Sequence, residues 1–256
     1  MKIKSYIIFI LLAFSLLTLG GLFVINNTME TTETTETLEN LETMAQPYVV
    51  ERTEGEWEIT QSVLFDVPFT SQAPFGNWDN QVFQQACEEA SMLMAMLWVE
   101  GKEFISKEDA NKAILEISDF EEKNYGYFED TSAEDTAIIM KDYFSYNNIE
   151  VLYDIGSQDI KRELANGSIV ITPMNGQKVG NPFYTPPGPL RHMILVVGYD
   201  RETKEFITND PGTRHGEGFR YKEDIFEAAL QDYITGHKEP IDEIRSAMIV
   251  VRRISF

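Results

Sequence analysis

"QQACEEASML", residues 84–93, holds the only cysteine of a 256-residue chain, and how that cysteine is read decides the fold. A lone thiol cannot cross-link the chain to itself. Cys87 is either a small core residue or a nucleophile, and it stands where a loop turns into a helix. From Cys87 to Trp98 the apolar residues Ala90, Met92, Leu93, Met94, Met96, Leu97 and Trp98 make a helix that is apolar on most faces. A helix of that kind is buried. The positive end of a helix stabilises a thiolate, the reactive form of cysteine. Glu88 and Glu89 act the other way, because neighbouring carboxylates raise a thiol pKa. A nucleophile here therefore needs a counter-charge, and an imidazolium is the natural one.

The chain has three histidines, His192, His215 and His237. His237 lies in polar, turn-like "ITGHKEPIDE" and reads as a surface residue. His215 lies in the glycine-rich loop "GTRHGEG", where it touches a substrate or nothing. His192 opens "HMILVVGYD", the most hydrophobic strand pattern of the chain, which fixes it at the end of a sheet. Eighteen residues on, "FITNDPG" carries Asp210 at the end of the next strand. The short turn "DRETK" makes the two strands an antiparallel hairpin and brings Asp210 back beside His192. A carboxylate there can accept from one imidazole nitrogen and leave the other facing a thiol. The plainer readings are a histidine that starts a strand and an aspartate that precedes Pro211 in a turn. Asn209 is adjacent to Asp210, but strand alternation points it to the opposite face.

Elements elsewhere give the fold class. "SVLFDVPFT" reads as a strand running into a proline-ended loop, and "SQAPFGNWDN" as a loop. "SKEDANKAILEI" and "TSAEDTAIIMKDYFSYNN" are helices with Ser106 and Ser132 at their N-caps. Strands follow at "IEVLY", "SIVITPM", "HMILVVGY", "EFITND" and "SAMIVVRRI". Two more helices lie among them, "SQDIKRELANG", stopped by Gly167, and "YKEDIFEAALQDY". Helices in the first half and strands in the second make an α+β domain, with the helix of Cys87 packed on a C-terminal antiparallel sheet.

That domain spans 48–256. Ahead of it, Tyr6–Ile25 is an uncharged run of twenty residues, which at about 1.5 Å rise per residue can cross a bilayer. Lys2 and Lys4 keep its short side in the cytoplasm. Residues 1–26 therefore read as a signal anchor, or as a signal peptide that is cleaved to release a secreted protein. Residues 27–47 repeat glutamate every third position from Glu30 to Glu42, between threonines, and form a solvated, extended stalk. This organisation places the domain outside the cytoplasm on a single membrane-spanning helix. A lone thiol fits that compartment, since structural cysteines of exported proteins come in pairs. The formal charge of -21 repels nucleic acid. No ligand pair has the spacing of a zinc site, and no phosphate loop, dinucleotide fingerprint or G-x-S-x-G elbow is present. Neither metal nor cofactor is expected, and a monomer is the default.

"DVPFTSQAP", "NWDN", "ACEEASMLMAM", "RHMILVVGYD" and "FITNDPGTRHGEGFRY" together resemble the double-glycine-leader peptidase-like branch of the papain superfamily. The resemblance covers about residues 60–252 in the family's order. It implies a papain-like fold, a peptide or protein substrate, and acyl transfer by a Cys-His-Asp triad. Position by position, Cys87 then matches the nucleophile, His192 the general base and Asp210 the residue that orients it. For the oxyanion-hole glutamine it offers Gln72, in "VPFTSQ", with Gln81, six residues before Cys87, as the alternative. Where the family's commonest form has Cys-Gly-Pro, this chain has Cys-Glu-Glu. That departure and the anchored stalk favour one rival reading, a catalytically silent binding or adhesion module; a second rival is a cell-wall amidase or transglutaminase-like activity on the same triad. "KVGNPFYTPPGPLR", immediately before His192, is expected to wall the cleft. A working pair requires the Cys87 thiol within about 4 Å of a His192 ring nitrogen, allowing for the looser geometry of free sites.

Overall fold

The computed structural model describes residues 59–236, 241 and 245–254. The apolar run 6–25, the 27–47 stalk and His237 lie outside the described residues. Among the described residues, no helix is long and apolar enough to cross a membrane.

A two-residue strand, β1 (Val63–Leu64), leads into α1 (Gln81–Gln85), α2 (Cys87–Glu100), α3 (Lys107–Tyr125) and α4 (Ala133–Phe144). Then come β2 (Ile149–Tyr153), α5 (Ser157–Ala165), β3 (Ser168–Met174), α6 (Gly176–Val179) and β4 (His192–Asp200). The chain ends with β5 (Glu205–Asn209), β6 (Phe219–Lys222), α7 (Glu223–Ala229) and β7 (Ala247–Arg252). Ser106 and Ser132 each accept a hydrogen bond from the backbone N–H three residues on, so both predicted N-caps form. Gly167, with φ 86°, takes the left-handed turn after α5.

The strands form one antiparallel sheet in the order β2-β7-β3-β4-β5-β6, with β1 added alongside β4. Its two faces divide the core. Ile169 and Ile171 of β3 and Met193, Leu195 and Val197 of β4 face α2, α3 and α4. Val170, Ile194 and Val196 face the opposite way, toward Ile160 and Leu164 of α5 and Phe226 of α7. Successive side chains of a strand point to opposite faces, so a sheet covered on both sides is apolar at nearly every position. That is why "HMILVVGY" carries no polar alternation. Helix α2 lies between β4 and α3, with every residue from Cys87 to Met96 buried.

Three elements differ from their sequence reading. Of "SVLFDVPFT" only Val63 and Leu64 join the ladder, and Phe65 N–H adds one bond to Val197 O (2.9 Å). Pro68 then has no N–H to offer. Strand β6 is unannounced, because "FRYK" sits between a glycine-rich turn and a helix. Its alternation is nevertheless present, with Tyr221 buried and Arg220 and Lys222 exposed. Helix α7 consequently begins at Glu223, and Leu230 leaves it to bridge Met174.

Strand β1 crosses β4 where the register shifts between Val196 and Gly198, and a Cβ on Gly198 would lie 2.4 Å from Val63 O. Gly198→Ala should therefore push β1 off the sheet and cost about 1–3 kcal/mol of stability, the usual cost of overpacking. A urea midpoint equal to wild type would show that β1 yields without loss.

Candidate active site

The C-terminal end of β5 sets the polar side of the site. Asn209 and Asp210 diverge there. Asn209 donates to Val67 O (3.0 Å) and Pro68 O (3.3 Å) and accepts from Gly218 N–H, which ties down the segment after β1. Asp210 turns toward His192 and is fully buried. Its Oδ1 pairs with His192 Nε2 (2.8 Å) and accepts from Gly212 N–H (3.0 Å). Its Oδ2 accepts from Asn181 Nδ2 (2.9 Å), Tyr184 Oη (2.6 Å) and Tyr221 Oη (2.5 Å). Burial alone would raise this carboxyl. The charge of His192 and the hydrogen bonds of His192, Tyr184 and Tyr221 outweigh it, and Asp210 is held below the ordinary carboxylate value. Among the described residues the imidazole's hydrogen bond is made by Nε2, not Nδ1. Gly212 permits the close wrap around the ring, since a Cβ there would stand 2.9 Å from His192 Cε1.

Cys87 is the first residue of α2 and lines the same cavity as His192, a space of about 950 Å³. Residues 71–76 and Trp78 form one wall of that cavity. Residues 183–185 and 189–192 form another, as read from the proline-rich segment, and residues 212–215 close the third side. His215 belongs to this rim and stacks on Phe183 with ring centroids 4.5 Å apart.

The thiol faces a carboxylate. Cys87 Sγ donates to Glu88 Oε2 at 3.0 Å, and the Met193 N–H points back at the sulfur. Among the described residues the side-chain hydrogen bond of the thiol goes to Glu88 rather than to the His192 ring. Burial first, then the charge and hydrogen bond of Glu88 and the charge of Asp130, push the thiol well above its ordinary value. Glu88 is buried too and accepts from Tyr233 Oη (2.7 Å). Burial and nearby Asp130 raise its carboxyl to about 7, against the bonds from Cys87 and Tyr233. Asp130 lies on the cavity with Arg191 Nη1 3.9 Å from its Oδ2.

Glu89 of the same helix and Glu121 of the neighbouring one are both fully buried, and among the described residues none of their carboxylate oxygens has a hydrogen-bond partner. Burial, then the adjacent carboxylates, raise Glu89 well above its ordinary value, and burial with Glu88 raises Glu121 to about 9.

The two candidate glutamines part company. Gln72 is buried on the cavity, its Nε2 donating to Phe83 O (3.0 Å) and Gln84 O (3.2 Å) and its N–H to Pro211 O (2.9 Å). Gln81 is exposed, donates to Glu129, and is not among the cavity residues. Sequence reasoning missed Asn181, Tyr184, Tyr221 and Tyr233, because hydroxyl and amide donors converging from distant segments have no spacing to betray them. Among the described residues no group of three or more His, Cys, Asp or Glu could hold a metal ion.

Residues 64–239 match the model of the "Peptidase_C39 like family". Two solved structures are similar to the chain. One, described as a C39-like peptidase from Bacillus anthracis, is 14% identical, with 76% of this chain and 100% of that one covered and a TM-score of 0.49. The other is xylellain, a cysteine protease from Xylella fastidiosa. It is 17% identical over 77% of this chain and 88% of its own, with a TM-score of 0.37. No curated protein matches the sequence.

Two predictions follow from the buried carboxylates. Asp210→Asn would set an amide N–H₂ against the donors of Tyr184, Tyr221 and Asn181. It should cost about 3 kcal/mol in a denaturant melt, and an unchanged midpoint would refute the network. Glu121 carries the opposite sign. Folded, it keeps its proton to about 9, against an ordinary value of 4.5. Its contribution is therefore complete at pH below 4.5 and is lost as pH climbs through 9. Between those values stability should fall with rising pH by about 1.4 kcal/mol per unit for this one proton. Glu121→Gln should flatten the slope of urea midpoint against pH, and an equal slope would show that Glu121 ionises freely.

Proposed function

The chain belongs to the Peptidase C39-like family and is a cysteine-type peptidase, and from that premise we propose that it hydrolyses peptide bonds through Cys87, His192 and Asp210. The observation that carries this reading is that Cys87 and His192 line one cavity while Asp210 engages the far nitrogen of the imidazole. Asp210, with its five donors, holds His192 in the tautomer and orientation that leave Nδ1 toward the cleft.

In the proposed reaction a peptide lies along the cavity with its carbonyl carbon at Cys87. The thiol proton passes to Nδ1 of His192, and sulfur attacks the carbonyl. His192 then gives the proton to the departing amine, and a thioester remains on Cys87. Water, deprotonated by the same nitrogen, cleaves the thioester and restores the thiol. Gln72 is the oxyanion donor we favour. It already reaches the cavity, and turning one N–H away from Gln84 O, the longer of its two bonds, would free it for the anion. We place the enzyme outside the cytoplasm, held by residues 6–25 and spaced from the bilayer by the acidic stalk, with peptides or proteins as substrates. This placement draws its support from the uncharged run and its flanking lysines.

The test is release of new amino termini from an unstructured peptide library. Cys87→Ser and His192→Ala should each lower kcat/KM by about 10³-fold or more. Activity retained in Cys87→Ser would sink the assignment.

A further inference from the structure

The nucleophile's own neighbour is unaccounted for by the mechanism. Glu88 follows Cys87 in the first turn of α2, takes its thiol hydrogen bond at 3.0 Å, and is anchored on its other oxygen by Tyr233 at 2.7 Å. Both side chains are buried, at 4% and 1% exposure, so the bond is largely shielded from solvent. A surface glutamate after a nucleophile would be screened by solvent, and this one is not. We propose that Glu88 is a third ionising member of the catalytic centre, which holds Cys87 as a thiol while it is a carboxylate and releases it to His192 when it is protonated.

The proton count closes with the site's own groups and solvent. With Glu88 ionised, Cys87 keeps its proton and shares it with Oε2. A thiolate there would stand against a second negative charge with little dielectric between them. When Glu88 takes a proton from solvent, that opposition ends. A rotation about χ1 of Cys87 then lets the thiol proton move to Nδ1 of His192, leaving thiolate, imidazolium and carboxylic acid. Raising the pH reverses each transfer. The groups facing Glu88 all bear on where this happens. Cys87 and Glu89 share its helix, Glu121 approaches from α3, Asp130 from the loop before α4 with Arg191 from the residue before β4, and Tyr233 from the segment after α7. Asp130 favours the protonated form, and the Tyr233 hydroxyl favours the carboxylate. A Glu88 that changes charge near neutral pH fits the value of about 7 to which burial, then Asp130, raises it against the bonds from Cys87 and Tyr233.

This inference rests on Cys87 as the nucleophile, and one experiment separates the two. Cys87 is the only thiol of the chain, so the rate of iodoacetamide labelling of the full chain between pH 5 and 9 reports on it alone. Glu88→Gln keeps shape and acceptor but removes the charge. The ratio of its rate to that of wild type should be near one at pH 5 and should rise at least ten-fold by pH 8. Tyr233→Phe removes the donor that favours the Glu88 carboxylate and should move the break of the wild-type profile to higher pH. A ratio that is flat with pH, or below one throughout, overturns the proposal. If Glu88→Gln does not fold by circular dichroism, Tyr233→Phe decides, and an unmoved break overturns it equally. His192→Ala tests the underlying reading. If it leaves labelling unchanged, His192 does not activate Cys87, whatever Glu88 does. If it slows labelling while the Glu88→Gln ratio stays flat, only the role of Glu88 fails.

Discussion

Everything at the site hangs on one buried carboxylate. Asp210 has no exposure to solvent, and an unpaired charge in such a place costs several kcal/mol. The fold meets that cost with donors from the start of β4, the loop at Asn181 and Tyr184, the turn at Gly212, and Tyr221 of β6. Several of these segments are far apart in sequence, so the buried carboxylate is kept ionised by groups that only the folded chain brings together. The backbone beneath it is as tightly set. Asp210 N–H donates to Gly216 O (3.0 Å), and a Cβ on Gly216 would stand 1.8 Å from Asp210 O. His192 inherits its position from this assembly rather than from β4 alone.

The same degree of burial has the opposite result on α2. Asp210 is surrounded by donors and loses its proton easily. Glu89 and Glu121, whose side-chain oxygens have no hydrogen-bond partner among the described residues, are pushed well above the ordinary carboxylate value. Glu88 falls between, with Tyr233 and the thiol for partners and Asp130 as an opponent. Position in the core does not decide the charge of these side chains; the donors within reach do. The helix that must be buried to carry the nucleophile thus brings two buried carboxyl groups with it, and Glu88 is the one in contact with sulfur.

The legible parts of the sequence were those governed by local periodicity and caps. Ser106 and Ser132 announced their helices, the unbroken apolar run from Cys87 announced a buried one, and "DRETK" announced the hairpin that sets Asp210 beside His192. Asn209 could be told from Asp210 by alternation alone. Contacts set by the tertiary fold were not legible. Nothing near Asp210 in the chain points to Asn181 or Tyr184, and nothing in "CEE" says that Glu88 faces the thiol while Glu89 turns to another helix. Strand β6 escaped notice because four residues wedged between a turn and a helix give too short a period to read.

The proline-rich wall of the cleft is pinned at two points. Asn181 and Tyr184 bond to Asp210 at one end, and Arg191 and His192 are buried at the other. The six residues between them, 185–190, are exposed or half-buried, and Gln177 reaches them with one hydrogen bond, to Gly188 O. Drift in this span is thus uncoupled from the charge network beneath it. The side chains this span offers to a substrate thus stand apart from the hydrogen bonds that hold the reaction centre.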